Sequence, residues 1–191
     1  MKRAFLVLAL LAGCGPSSIE QPAQTVNVDA EGRVAIESVR AAVRAEAQRL
    51  YGQSCGEVVV PDGAFEPIEI TGGGPPEYAV LFGRARCGES GNANQWLGTG
   101  GANVQIWHAF GGPPRMLLDH QMHGFTPKAT GLVSLQHGGF CPGGAGPGMC
   151  LVRYRWNDRD SALEVSDRRL YDDGHPGQPP RMEWDYERIA R

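Results

Sequence analysis

The chain has 191 residues, with 18 basic and 21 acidic side chains and a formal net charge of −3. That length is one domain by default, and the acidic balance argues against binding a nucleic-acid backbone, which needs a basic face. Twenty-seven glycines and 14 prolines point to many turns and short strands and away from long helices.

The first residues read MKRAFLVLALLAGCG. Lys2 and Arg3 form a positive n-region, and Phe5 to Ala12 is an unbroken apolar run. The run is too short to span a bilayer, which takes about 20 apolar residues, and has the length of a signal-peptide core. It ends in Leu11-Ala12-Gly13-Cys14, which resembles the lipobox of bacterial lipoproteins. The resemblance implies cleavage between Gly13 and Cys14 and acylation of Cys14, the new N-terminus. Residues 1–13 are then a signal peptide, 14–28 a Ser/Pro/Gln tether, and 29–191 one globular domain. Several acyl chains on one cysteine suffice for stable anchoring without a spanning helix. Gly15 stands where an aspartate would resemble an inner-membrane retention signal, so the expected place is the outer membrane, facing the periplasm. Loss of Lys2 and Arg3 leaves 16 basic against 21 acidic residues, a net charge of −5.

Four cysteines remain: Cys55, Cys87, Cys141 and Cys150. An even number in an oxidising compartment reads as disulfides. Three pairings are open, of which Cys55–Cys87 with Cys141–Cys150 is preferred. Such bridges contribute roughly 2.5–4 kcal/mol each on chain-entropy grounds. No C-x-x-C occurs and no histidine stands at zinc-finger spacing, so a structural zinc site is not expected. The glycine-rich stretch before Cys150 lacks the G-K-[ST] ending of a phosphate loop.

In chain order, Asp29 is a candidate N-cap, and Val34 to Tyr51 has helical periodicity. Ile36, Val39, Val43, Ala47 and Leu50 fall on one face, and Gly52 is the expected stop. The period then changes to two. Strands are expected at 58–60, 78–86, 103–110, 115–120, 132–137, 151–156 and 162–165, the last two joined across Asn157 to Asp160. The last residues form a short strand or helix. The fold class is α+β, mainly β with one N-terminal helix: an antiparallel sheet or sandwich, disulfide-stapled.

Two stretches carry a second resemblance. FEPIEITGGGPPEYAV resembles the D-x-x-G-D-G-x-x-D-hydrophobic loop of FG-GAP-like calcium repeats. GLVSLQHGGFCPGGAGPGMCLVRYRWNDRDSALEV has the order strand, His-Gly, cysteine loop, strand with aromatics, turn, strand. Together, over roughly residues 36–170, they resemble a group of small secreted or lipid-anchored bacterial proteins. In that group a helix and a cysteine precede an Asp-rich loop, and a cysteine-bridged hairpin follows. At the aspartate positions this chain has Glu69, Gly73 and Glu77. Calcium needs several oxygen ligands on a tight loop, so the turn is read as kept and the metal as lost. If calcium binds, Glu69 and Glu77 are its candidates.

Catalytic signatures are sparse. Ser90 lacks the context of a nucleophile elbow. The pairs Asp158/Asp160 and Asp172/Asp173 sit in turns, where carboxylates stay solvated. His120 and His123, three apart on a strand, face opposite sides and do not share a metal. His108 and His137 each follow two apolar residues on one face, and they could meet if their strands are neighbours. Trp107 is either an exposed binding anchor or part of a second layer covered by the helix. Gly144, inside the Cys141–Cys150 loop, marks a rigid insertion element.

These readings lead to a non-catalytic binding or structural module of the cell envelope. It is lipid-anchored, without a cofactor, and has a protein partner in the periplasm or envelope. An inhibitor of a cell-wall-degrading enzyme is one form of such a module. The alternatives are an envelope hydrolase using histidines, which requires His108, His123 or His137 to converge with a carboxylate, and a calcium-dependent adhesion module.

Overall fold

The computed structural model describes residues 30–88, 96–109, 112–144, 148–171 and 181–190. The expected signal peptide, Cys14, the tether, Asp29, Ser90, Asp172, Asp173 and His175 lie outside them.

Apolar residues three and four apart build helix α1, Ala30–Cys55, longer at both ends than the expected 34–51. Val39, Val43 and Ala47 are buried at 1% exposure or less. The stripe does not continue to Leu50, which is 43% exposed. At 3.6 residues per turn it drifts to Tyr51, whose ring meets Trp96 edge-on at 5.7 Å. Gly52 does not end the helix. Gly56 does, with φ +75° and its N–H donated to Gly52 O at 2.8 Å, the left-handed stop that glycine adopts without a Cβ penalty.

Among the described residues twelve short strands follow: β1 Val58–Val59, β2 Phe65–Ile68, β3 Glu77–Leu81, β4 Arg86–Cys87, β5 Leu97–Gly98 and β6 Gly101–His108, then β7 Arg115–Met122, β8 Gly124–Lys128, β9 Gly131–His137, β10 Met149–Asn157, β11 Ala162–Tyr171 and β12 Trp184–Asp185. Helix α2, Tyr186–Ala190, closes the described chain. Every strand pair among the described residues is antiparallel. The first sheet holds β2, β3, β6 and β7, with β5 hairpinned onto the start of β6; the second runs β11-β10-β9-β8-β12; β1 and β4 form a small ladder of their own. The fold is therefore α+β and mainly β, with two disulfides, Cys55–Cys87 and Cys141–Cys150. The first ties the last residue of α1 to β4, and the second closes the tip between β9 and β10.

The 78–86 run is not one strand. A 3-10 turn at Phe82–Arg84 interrupts it, because α2 lies against it: a Cβ on Gly83 would stand 2.8 Å from Ala190 Cα, and the Arg84 guanidinium donates to Arg188 O at 2.7 Å.

The layers stack as helix, first sheet, second sheet. Strand alternation sends Tyr78, Val80 and Trp107 toward α1, into a cluster with Val39, Val43 and Phe65. It sends Ala79, Leu81, Val104 and Ile106 the other way, against Phe125, Leu132, Val152 and Tyr154 of the second sheet. Trp107 is 5% exposed, so it belongs to the helix-covered layer and is not an exposed anchor. Its indole N–H donates to Gln105 Oε1 at 3.0 Å. Gln105 and Asn103 in turn donate to the Asp119 carboxylate at 3.2 and 2.8 Å.

Candidate functional site

The sheet register decides which chemistry meets. Tyr78 pairs with Trp107 across β3 and β6, so the next residue back, Glu77, lies beside His108. Glu77 is in phase with Ala79 and Leu81, facing the second sheet, and is fully buried. A carboxylate there must be satisfied by donors, and three converge on it. Ile70 N–H donates to Oε2 at 3.1 Å, the Thr71 hydroxyl to Oε1 at 3.1 Å, and His108 Nδ1 lies 3.1 Å from Oε1. Burial pushes the Glu77 carboxyl above its ordinary range. The three hydrogen bonds pull it back, and the negative charge of Glu69 adds to the rise.

The loop between β2 and β3 supplies two of those groups, Ile70 and Thr71. Gly72, Gly73 and Gly74 all have positive φ, at 90°, 143° and 104°, which aims successive N–H groups inward. Glu69 Oε1 accepts from the N–H of Thr71, Gly72 and Gly73 at 3.1, 2.9 and 3.1 Å. A calcium loop would turn oxygens inward. Here, of the calcium candidates, Glu77 spends both oxygens and Glu69 its Oε1 on N–H and O–H donors, which a cation would have to displace. Among the described residues, no group of three His, Cys, Asp or Glu side chains is placed to hold a metal.

His108 is 21% exposed at the side chain. Its ring centroid is 5.9 Å from that of Trp156, at 40°. Arg115 pairs with His108 across β6 and β7, and its guanidinium donates to Ser161 O in the β10–β11 turn. One end of the sandwich is thus lined by Glu77, His108, Arg115 and Trp156.

The remaining candidates are scattered. His137 does not meet His108. It pairs with Met149, seven residues from Trp156 along β10, which places it roughly 23 Å away at strand rise. It shares the outer face of the second sheet with Val133 and Leu135, while Ser134 and Gln136 take the inner face, buried. There Gln136 Nε2 donates to Ser134 Oγ at 2.7 Å and to the Tyr154 hydroxyl at 2.9 Å. His120 packs between Phe140 and Tyr154, at 5.6 and 6.4 Å, whereas His123 faces Tyr186 at 6.2 Å. Burial, first of all, holds both imidazoles below their ordinary range. Gly144 is a backbone contact: a Cβ there would stand 2.0 Å from Gly138 O. A side chain at 144 would reshape the tip itself.

The residues that sequence reasoning missed are Thr71 and the role of Trp156. A signal for Glu77 was present, since it falls in phase with Ala79 and Leu81 on an apolar strand face. No protein-family model, curated protein or solved structure matches the chain.

Proposed function

We propose that this chain is a lipid-anchored protein of the bacterial cell envelope, on the outer membrane facing the periplasm, and that it works as a non-catalytic binding module. The observation that carries the reading is the cysteine pairing. Cys55–Cys87 and Cys141–Cys150 are bonded, which accounts for every cysteine of the sequence except Cys14. Such bridges persist in oxidising compartments, and the cysteine left over is the one in the lipobox-like Leu11–Cys14.

The contact with a protein partner is assigned to the stapled tip. Phe140 is 39% exposed there, next to a bridge whose cysteines are buried, so an apolar anchor is presented on a preorganised loop. An inhibitor of a cell-wall-degrading enzyme is the form of partner binding that suits such a tip. The test has two parts. A lipid analogue fed to cells labels the wild type and not Cys14→Ala, and a photo-crosslinking residue at Phe140 captures one discrete envelope protein that the same residue at exposed Val34 does not. Absence of lipid label, or equal capture from both positions, overturns the reading.

The Glu77–His108 contact favours a second reading, an envelope hydrolase in which His108 activates water. Turnover of ester or glycan substrates that is lost in His108→Ala would establish it.

A further inference from the structure

We propose that the end of the sandwich opposite the stapled tip is a second binding site, for a neutral polyhydroxylated ligand of the glycan class, held by His108 Nε2 and the ring of Trp156.

The argument begins with the tautomer. Glu77 is fully buried and receives Ile70 N–H and the Thr71 hydroxyl. Above the raised range in which Glu77 ionises, its carboxylate only accepts hydrogen bonds, so the third group on it, His108 Nδ1 at 3.1 Å, carries the hydrogen. In a neutral imidazole the other nitrogen is then a bare acceptor. Nε2 sits on the far side of the ring from Glu77, at a side chain that is 21% exposed. The carboxylate also fixes the ring plane, so the acceptor is aimed and does not rotate.

The surroundings select the ligand. Two carboxylates, Glu69 and Glu77, against one guanidinium, Arg115, leave the site slightly negative, which favours a neutral ligand over an anionic one. Both Glu77 oxygens and Glu69 Oε1 are occupied by donors, and the described residues place no three metal ligands together, which disfavours a metal ion. A hydroxyl group remains: it donates to a bare imidazole nitrogen without bringing charge. Trp156, 5.9 Å from His108, supplies an apolar ring for the C–H face of a sugar, since an indole offers large contact area at low entropic cost. Arg115, next to His108 in register, is tied to the β10–β11 turn and holds the two sheets at a fixed separation at this end.

The experiment uses the full-length chain in detergent micelles, with 15N-labelled histidine. The probes are soluble oligosaccharides: α-glucans, β-glucans and N-acetylglucosamine oligomers. The expected result has three parts. The free protein shows His108 with its hydrogen on Nδ1. At least one oligosaccharide shifts the His108 Nε2 resonance. Its affinity falls at least tenfold in Trp156→Ala and in Glu77→Gln, whose amide would turn the imidazole to the other tautomer, while Leu50→Ala, exposed on α1, binds unchanged. Glu77→Gln keeps the side-chain volume, so it reads the site even if Trp156→Ala unfolds. Hydrogen on Nε2 in the free protein overturns the proposal. So does binding by no member of the panel, or binding that survives Glu77→Gln. Partner capture at Phe140 and lipid labelling of Cys14 do not depend on any of these outcomes.

Discussion

Replacing Glu77 separates the cost of a buried carboxylate from the cost of losing it. In Glu77→Ala, Ile70 N–H is left unpaired in the interior, which costs about 1–3 kcal/mol. One methylene of packing is lost as well, about 0.8 kcal/mol. Thr71 loses little, because its hydroxyl can turn to Glu69 Oε1, already 3.4 Å away, and His108 is near enough to solvent to find water. The sum is about 2–4 kcal/mol, a large share of the about 5–15 kcal/mol that holds a domain folded. In Glu77→Gln the amide oxygen keeps the bond from Ile70 N–H. The amide nitrogen then donates to Thr71 Oγ1 and to His108 Nδ1, provided the imidazole moves its hydrogen to Nε2. That variant should fall within about 1 kcal/mol of wild type. Urea unfolding at pH 7 followed by circular dichroism measures both. A loss below about 1 kcal/mol for alanine, or equal losses for glutamine and alanine, would refute the assignment of Glu77 as the hub of this network.

Other outcomes follow from the same geometry. Because burial raises the Glu77 carboxyl in the folded state, the native protein holds that proton to higher pH than the unfolded chain. The contribution to stability therefore declines as pH rises from the ordinary carboxyl range through the raised value, with a slope of at most about 1.4 kcal/mol per pH unit. Subtracting urea midpoints of Glu77→Gln from wild type between pH 4 and 8 isolates that slope; parallel curves would contradict it. Along α1, Val43→Ala should cost about 2 kcal/mol and Leu50→Ala less than about 0.5, read as Tm shifts; equal shifts would mean that the buried stripe runs through 50 and not 51. Gly131→Ala should cost more than about 2 kcal/mol, since φ is +149° and a Cβ would stand 2.1 Å from Tyr154 O; a thermal melt unchanged from wild type would show that β9 and β10 can separate there.

Much of the fold was legible where one physical signal acted alone. The helix showed its three- and four-residue spacing, and β9, β10 and the hairpin into β11 showed theirs. β2 and β8 were not anticipated because Pro67 and Pro127 interrupt them, and proline removes a ladder donor. β2 tolerates this as the end strand of its sheet, in keeping with the rule that strand prolines sit at edges. The break at Phe82–Arg84 had no local cause; it depends on α2, about a hundred residues further on. The site was legible only in pieces. Glu69, Glu77 and His108 each stood out, but 31 residues separate Glu77 from His108, and only the pairing of β3 with β6 brings them together. The pairing of β9 with β10 carried His137 to the far end of the second sheet, which no alternation pattern within a single strand could reveal.

The two disulfides join neighbours in sequence order, first with second and third with fourth among the paired cysteines. This ordering bears on how the protein is made. A chain delivered N-terminus first into an oxidising space presents Cys55 and Cys87 before Cys141 has arrived. On the proposed reading, in which the chain is exported and acylation blocks Cys14, an oxidase that couples thiols as they emerge therefore produces the native connectivity directly. No wrongly paired intermediate has to be reshuffled, and maturation should proceed at full yield in cells that possess a thiol oxidase but lack a disulfide isomerase.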